Sequence, residues 1–317
     1  MKKNISALIL AAVMCVGMTS CGEKTVMNVG DEEIGYAEYR YYLLNNKRDS
    51  FDGIETLDAE QTEELKALTE ENAKRSAAIS LLAEKYGAVL TDEDNSQVEA
   101  YIASYKAQEC YNDEAAYKAS LESYYMTDDL FREMQSDTML VYRTMEKMVE
   151  AGAIKKDNET IASLMASDDL LCIKEIFLEN PSKETREYVY NRALEAYNSL
   201  KNGLDAAEVM KKYSSYNESE MSPEYGYYTT EYEMPEYIWQ EAEALADGEF
   251  SEIIESVYGF HIVIRCEKND EYMEKIRDDI TERYVSAMYT KALYETIVTL
   301  KVEYTEYGKK LDFNEIS

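Results

Sequence analysis

His261 is the single histidine of the 317-residue chain and the first candidate for chemistry. An imidazole changes charge near neutral pH, and it can donate or accept a hydrogen bond or bind a metal. It lies in residues 256–267, "SVYGFHIVIRCE", just before the β-branched run Ile262, Val263 and Ile264. A continuous apolar run of this kind is typical of a central strand covered on both faces. Three roles are therefore open for His261: a catalyst, a ligand, or a residue packed where its strand places it.

The composition argues against several classes of partner and cofactor. With 33 basic and 64 acidic residues the net charge is −31, which disfavours binding to a phosphate backbone. One histidine and widely spaced cysteines do not supply the usual zinc or iron ligands. The signatures GxxxxGK[ST], GxGxxG, GxSxG and HExxH are absent from the sequence. We therefore expect no metal, no cofactor and no nucleic-acid partner.

The N-terminal residues predict export. Two lysines precede the apolar run "ISALILAAVMCVGM", which is too short to cross a membrane but fits the core of a secretory signal. The following "MTSC", residues 18–21, resembles the bacterial lipoprotein signal. That resemblance implies that residues 1–20 are removed and that lipid on Cys21 holds the protein at the extracytoplasmic face of the membrane. The alternative is ordinary secretion, in which Cys21 has no special role.

The spacing of apolar residues divides the rest of the chain into a helical part and a mixed part. Residues 21–160 are predicted to form an N-terminal helical domain, with a capping box at Asp58 and Gln61 before a long helix that ends at Gly87. Residues 168–268 show the order β-α-α-β-α-β-β, which predicts a small α+β domain with a four-stranded antiparallel sheet. Residues 269–317 contain a last helix that we expect to pack on the N-terminal domain.

Residues 173–267 resemble parvulin-type (PpiC-type) peptidyl-prolyl isomerase domains at five landmarks in the family's order. These are the first-strand segment "EIFL" at 175–178, the helix end "GLDAAEVMKKYS" at 203–214, the segment "EYGYY" at 224–228, the spaced residues Met234, Ile238, Leu245, Gly248 and Ser251, and the closing "YGFHIV" at 258–263. Around them, "VGDEEIGYAEYRYYL" at 29–43 and "EKYGAVLTDEDNSQVEAYI" at 84–102 resemble the helical chaperone arm of SurA and of PrsA-like foldase lipoproteins.

The resemblance implies a shallow site that binds proline-containing segments of unfolded chains and rotates the X–Pro bond. The implied apolar cup consists of Met234, Ile238, Phe260, Tyr225 and Tyr228. The implied polar group consists of His261, of Glu175 at the position of the family's first-strand histidine, and of Tyr216 near the position where relatives carry cysteine or aspartate. Because Glu175 replaces a histidine, this would be a different electrostatic site, in which a carboxylate holds His261 by a hydrogen bond.

The sequence therefore supports a lipid-anchored foldase for newly exported polypeptides. The alternative is a chaperone whose parvulin-like domain only binds unfolded chains without catalysis. A substrate-binding lipoprotein would need a cleft between two α/β lobes, which the pattern does not predict. The acidity would favour basic clients or serve only to keep the protein soluble.

The family's arrangement also predicts a strand register. If the first and last strands of the domain are antiparallel neighbours and Glu175 faces His261, paired residue numbers sum to 436. Cys172 and Cys266 would then be diagonal neighbours, and we expect them to be two thiols rather than a disulfide.

Overall fold

The structure is a computed structural model that describes residues 24–51, 54, 56–180, 182, 185–215 and 225–316. The predicted signal sequence, Cys21 and Tyr216 lie outside these residues. The chain divides into two compact units. We call Met1–Ala153 with Ala292–Ser317 the helical unit, and Ile154–Lys291 the sheet unit.

The helical unit begins with a hairpin and continues as helices. Its elements in chain order are β1 (Thr25–Val29), β2 (Glu32–Gly35), α1 (Tyr36–Phe51), α2 (Ala59–Tyr86), α3 (Asp92–Glu109), α4 (Glu114–Ser123) and α5 (Asp128–Glu150). The predicted capping box at Asp58 and Gln61 is present, and α2 ends at Gly87 in the left-handed conformation, with φ +67°. The short helix α4, whose N-cap is Asp113, was not predicted.

The sheet unit has the predicted order of elements, preceded by one additional helix. Its elements are α6 (Asn158–Ala166), β3 (Leu171–Glu179), α7 (Arg186–Lys201), α8 (Ala206–Tyr213), β4 (Tyr227–Thr229), α9 (Glu236–Ala244), β5 (Ile254–Glu255), β6 (Gly259–Arg265), α10 (Asp270–Lys275) and α11 (Arg277–Ile297), the last of which extends past Lys291. The strands form an antiparallel four-stranded sheet in the order β4-β3-β6-β5. The prediction of an α+β fold with this sheet is confirmed.

The two central strands, β3 and β6, have a core on each face. On one face Ile176, Leu178 and Ile262 pack against α7 and α8. On the other face Ile173 and Val263 pack against α9. Successive side chains of a strand point to opposite faces, so both faces of β6 are covered and all seven of its residues are buried. This explains the continuous apolar run that follows His261.

The register of β3 and β6 differs from the predicted one by two residues. Phe177, not Glu175, lies directly opposite His261, and Glu175 pairs with Val263, so paired numbers sum to 438. The backbone N–H of Cys266 accordingly donates to the carbonyl of Cys172 at 2.8 Å, which makes the two cysteines direct cross-strand neighbours rather than diagonal ones. The resemblance identified the paired strands correctly, whereas the position of the pairing depends on the lengths of the intervening loops.

The C-terminal residues contribute to both units: α10 and most of α11 belong to the sheet unit, and the end of α11 belongs to the helical unit. The helix is interrupted at Ile276, and Met273 and Ile280 pack with Leu164 of α6 inside the sheet unit. The end of α11 and a strand, β7 (Val302–Tyr304), complete the helical unit, and β7 pairs with β1 in the order β2-β1-β7. The surface that Met273 and Ile280 contact includes α6, a helix that was not predicted.

Among the described residues, no helix combines the length and the hydrophobicity needed to span a bilayer.

Gly259 starts β6 and allows β3 to approach closely. Its φ is +149°, and a Cβ added there would lie 2.1 Å from the carbonyl oxygen of Leu178. Gly248 is the matched comparison in the same unit, because its φ is also positive, +86°, but an added Cβ would meet nothing within 4 Å.

We expect Gly259→Ala to lower the free energy of unfolding of the sheet unit by roughly 3 kcal/mol or more, because backbone strain and a backbone clash add together. Gly248→Ala should cost about 1–2 kcal/mol, the strain alone. Urea unfolding followed by the fluorescence of Trp239, the single tryptophan of the chain, reports on this unit. Equal losses in the two variants would contradict the clash.

Candidate functional site

The polar centre of the sheet unit is a chain of three side chains centred on His261. Its Nδ1 lies 2.5 Å from Oε1 of Glu175, and its Nε2 lies 2.7 Å from Oγ of Ser256. Glu175 on β3 is a diagonal neighbour of His261 on β6, and Ser256 lies in the turn between β5 and β6. The predicted carboxylate partner of His261 is therefore present, although the two residues are not directly opposite.

Both ring nitrogens of His261 are thus engaged. If Nδ1–H donates to the carboxylate, Nε2 of a neutral ring accepts the hydroxyl proton of Ser256, while in a charged ring Nε2–H donates to that hydroxyl. The Ser256 hydroxyl also accepts the backbone N–H of Tyr258 at 3.1 Å. These contacts fix the orientation of the imidazole and couple the turn to the sheet.

Aromatic rings enclose the imidazole. The ring centroid of Phe177 lies 4.8 Å from that of His261, and Tyr237 of α9 approaches edge-on at 6.5 Å. His261 is only 6% exposed, and the Glu175 side chain is 13% exposed. A nearly buried polar pair of this kind is stable only when its hydrogen bonds are made, which is the case here.

The apolar part of the site lies on the same face of the sheet. Met234 is half-buried and packs in a cluster with Ile238 and Val263. Ile254 also belongs to this cluster, and it is the cross-strand partner of His261. The structure therefore brings Met234 and Ile238 to the face that carries His261 and Glu175, as a proline-binding site requires.

Three of the predicted cup residues lie elsewhere. Phe260 is 1% exposed and packs on the opposite face with α7 and α8, because neighbouring residues of a strand alternate between faces. Tyr228 is also 1% exposed, and it packs with Cys172 in a cluster on α6 and α10. Tyr225 stacks on Tyr272 of α10 at 4.3 Å. These three residues are corrections to the predicted cup.

Ser256, Phe177 and Tyr237 were not predicted as members of the polar site. Alternation along β3 would have indicated Phe177, which is two residues from Glu175 and shares its face. Ser256 has no such signal, because its position depends on the turn that Gly259 closes.

The two cysteines of the sheet unit are present as thiols. A hydrogen bond with Cys266 and burial raise the pKa of Cys172, whose thiol also contacts the carbonyl of Tyr225 at 3.1 Å. They lie on the opposite face from His261, so we assign them to the core rather than to the site. In the described residues, no group of three or more histidine, cysteine or acidic side chains is arranged to bind a metal.

The hydrogen bond between Glu175 and His261 predicts a measurable effect on stability. Glu175→Ala leaves a nearly buried imidazole N–H without its acceptor and should lower the free energy of unfolding by roughly 1–3 kcal/mol. Glu175→Gln retains an acceptor oxygen and should recover much of that loss. Glu179→Ala, an exposed carboxylate at the end of the same strand, is the control and should change stability by less than about 0.5 kcal/mol. Urea unfolding monitored at Trp239 measures all three, and equal losses for Glu175→Ala and Glu179→Ala would exclude this role.

Two family models match separate parts of the chain. Residues 170–267 match the PPIC-type PPIASE domain, called Rotamase, and residues 1–145 match the SurA-like N-terminal domain. The first range contains the whole of the site described above. No curated protein matches the chain.

Several solved structures are similar to the chain at low identity. The foldase protein PrsA from Streptococcus pneumoniae is 21% identical, with a TM-score of 0.37, and the match covers 84% of this chain and 96% of that one. A peptidylprolyl isomerase (PrsA) from Bacillus anthracis is 16% identical, with a TM-score of 0.32, and the match covers 70% and 94% of the two chains. A Campylobacter jejuni structure from a study of two SurA-like chaperones is 13% identical, with a TM-score of 0.30, covering 89% and 99%.

The assignment rests on the two family models and on the sheet order and site geometry of the second domain. The chain belongs to the proteins that combine a SurA-like N-terminal domain with a PPIC-type peptidyl-prolyl isomerase domain.

Proposed function

We propose that this protein is a lipid-anchored extracytoplasmic foldase that binds unfolded exported polypeptides and accelerates the cis-trans isomerisation of their X–Pro bonds. The observation that carries the catalytic part is the shared face of the sheet, where the apolar side chains of Met234 and Ile238 accompany the polar chain Glu175–His261–Ser256. The SurA-like domain supports the chaperone part.

The reaction requires no nucleophile and no cofactor. The barrier to rotation about the X–Pro bond comes from amide resonance and is about 18–20 kcal/mol. A protein lowers it by seating the proline ring in an apolar hollow and by placing polar groups so that they favour the twisted amide over the planar one. No covalent bond to the substrate is formed or broken in this process.

In our proposal the roles are divided between the two parts of the site. Met234 and Ile238 contact the proline ring. Ser256, half-buried at the rim of the site, is the polar group best placed to meet the substrate backbone. His261 and Glu175 are positioning residues, since both nitrogens of the imidazole are already engaged within the protein.

Glu175 stands where the resembling domains carry a first-strand histidine, and this difference favours a second candidate function. In that function the parvulin-like domain holds unfolded chains without accelerating isomerisation. The two functions predict different results in one assay.

The catalytic proposal predicts that the full chain accelerates the relaxation of a proline peptide whose uncatalysed isomerisation takes about 10–100 s. Met234→Ala and His261→Ala should each lower kcat/KM roughly tenfold or more, because they remove the proline contact and the polar positioning. Met139→Ala, a half-buried methionine of the helical unit, is the matched control and should leave kcat/KM unchanged. Circular dichroism checks that each variant is folded. Suppression of aggregation of an unfolded client without any acceleration would favour the purely binding function instead.

The anchoring proposal rests on residues 18–21, "MTSC", in the part of the chain that the structure does not describe. In a bacterial expression host, the wild type should partition into the detergent phase and carry fatty acid on its N-terminal peptide. Cys21→Ser should move the protein to the aqueous phase, whereas Cys110→Ser, which changes a buried thiol of the helical unit, should not. An aqueous, unmodified wild type would indicate ordinary secretion.

A further inference from the structure

The sheet unit contains a second concave surface, separate from the His261 site. A groove of about 890 Å3 is bordered by α6, by the segment before α9, by α9 itself and by α11. All of its lining residues belong to the sheet unit. We call it the acidic groove, because six carboxylates and only two ammonium groups line it.

The six carboxylates are exposed, and the described residues do not neutralise their charge. They belong to Asp157, Glu159, Asp169, Glu231, Glu236 and Glu243. Within the described part of the chain none of them forms an ion pair with a lysine or an arginine, although ion pairs occur elsewhere in the same unit, for example between Arg186 and Glu255. Of the two lysines that line the groove, Lys291 is directed at the ring of Tyr232, with 5.9 Å from ammonium to centroid.

Trp239 supplies an independent sign that the groove takes a ligand. This residue is 6% exposed and lines the groove, while the rest of its side chain packs against β3 and β6. Its indole N–H donates to no acceptor in the described residues, and because this nitrogen is not among their fully buried unpaired polar atoms, the N–H is open to solvent or to a ligand. An unpaired donor at the wall of a groove suits a carbonyl oxygen of a bound polypeptide backbone.

Helix α9 borders both the groove and the His261 site. Tyr237 approaches His261, whereas Glu236, Gln240 and Glu243 lie on the side of the same helix that lines the groove. A polypeptide whose proline occupies the His261 site therefore has the acidic groove within reach on the other side of one helix.

We propose that the acidic groove binds an extended, lysine- or arginine-rich segment of a polypeptide client. This inference rests on the proposed function, in that the client is an unfolded chain, and it adds a second binding site with a charge preference. The carboxylates attract the basic side chains, and the indole N–H of Trp239 donates to the main chain of the segment. Groove recognition does not require proline.

The test uses the full chain and two short proline-free peptides of equal length, one rich in lysine and the other with glutamate in place of each lysine. Trp239 is the single tryptophan, so its fluorescence reports on groove occupancy without any label. The lysine peptide should bind and change the emission, and its affinity should fall as salt is raised. The glutamate peptide should not bind. Equal binding of both peptides, or no binding of the lysine peptide at low salt, would overturn the proposal.

Variants that remove carboxylates inside or outside the groove test whether the lysine peptide binds in the groove. The double variant Glu236→Gln, Glu243→Gln removes two groove carboxylates and should lower the affinity for the lysine peptide roughly threefold to tenfold. The control is Glu195→Gln, Glu241→Gln, which removes the same charge from exposed positions of the sheet unit outside the groove and should change the affinity less than twofold. Equal effects of the two double variants would mean that net charge, not the groove, attracts the peptide, and would overturn the proposal.

The role of the indole N–H is tested separately, with a fluorophore-labelled lysine peptide and anisotropy as the readout. Trp239→Phe keeps an aromatic ring but removes the donor, and it should weaken binding roughly twofold to tenfold. An unchanged affinity would remove Trp239 from the groove's binding surface. Because these peptides lack proline, the outcome is independent of whether the chain proves to be an isomerase.

Discussion

The antiparallel pairing of β3 with β6 is the constraint on which the rest of the sheet unit depends. Seven residue pairs join these strands, whereas β4 and β5 add only three and two pairs at the edges. Because side chains alternate between faces, the register decides which residues share a face. A slip of one residue would move Glu175 away from the face of His261 and carry a carboxylate into the apolar core under α7 and α8. The polar site therefore exists only in the observed register.

Local patterns and motifs in the sequence predicted the order of strands and helices. The predictions failed where contacts between residues far apart in the chain determine the structure. The order of strands and helices followed from periodicity and from the landmarks of the parvulin resemblance. Helix α6 was missed because its nine residues are too few to be stable alone, and it forms against Met273 and Ile280, more than a hundred residues away.

The residues of the candidate site were likewise predicted only in part. The polar pair of His261 and Glu175 could be predicted, because it needed only two residues on neighbouring strands and tolerated an error of two in the register. Phe260 was assigned wrongly, since adjacency to His261 in sequence places it on the other face of the strand. Ser256 could not have been found, because its hydroxyl reaches the imidazole only through a turn that Gly259 closes with a backbone conformation few other residues adopt.

The strong acidity of the chain has a local counterpart at α9, which lies between the acidic groove and the His261 site. A net charge of −31 attracts any basic chain at long range, but this attraction is screened within about 10 Å at 0.1 M salt and does not select a binding site. Exposed carboxylates that form no ion pair within the described residues do select one, since around a concave surface they act at contact distance. In our proposal, a client bound there is held by its basic residues while a nearby X–Pro bond meets the face that carries Met234, Ile238 and the Glu175–His261 pair. Separating attachment from isomerisation in this way would let the His261 site be shallow and tolerant of sequence, because the acidic groove would contribute part of the residence time of the client. Binding at the acidic groove would then strengthen binding at the His261 site to a degree set by the length of client chain between the two sites, with no change in the structure of the protein.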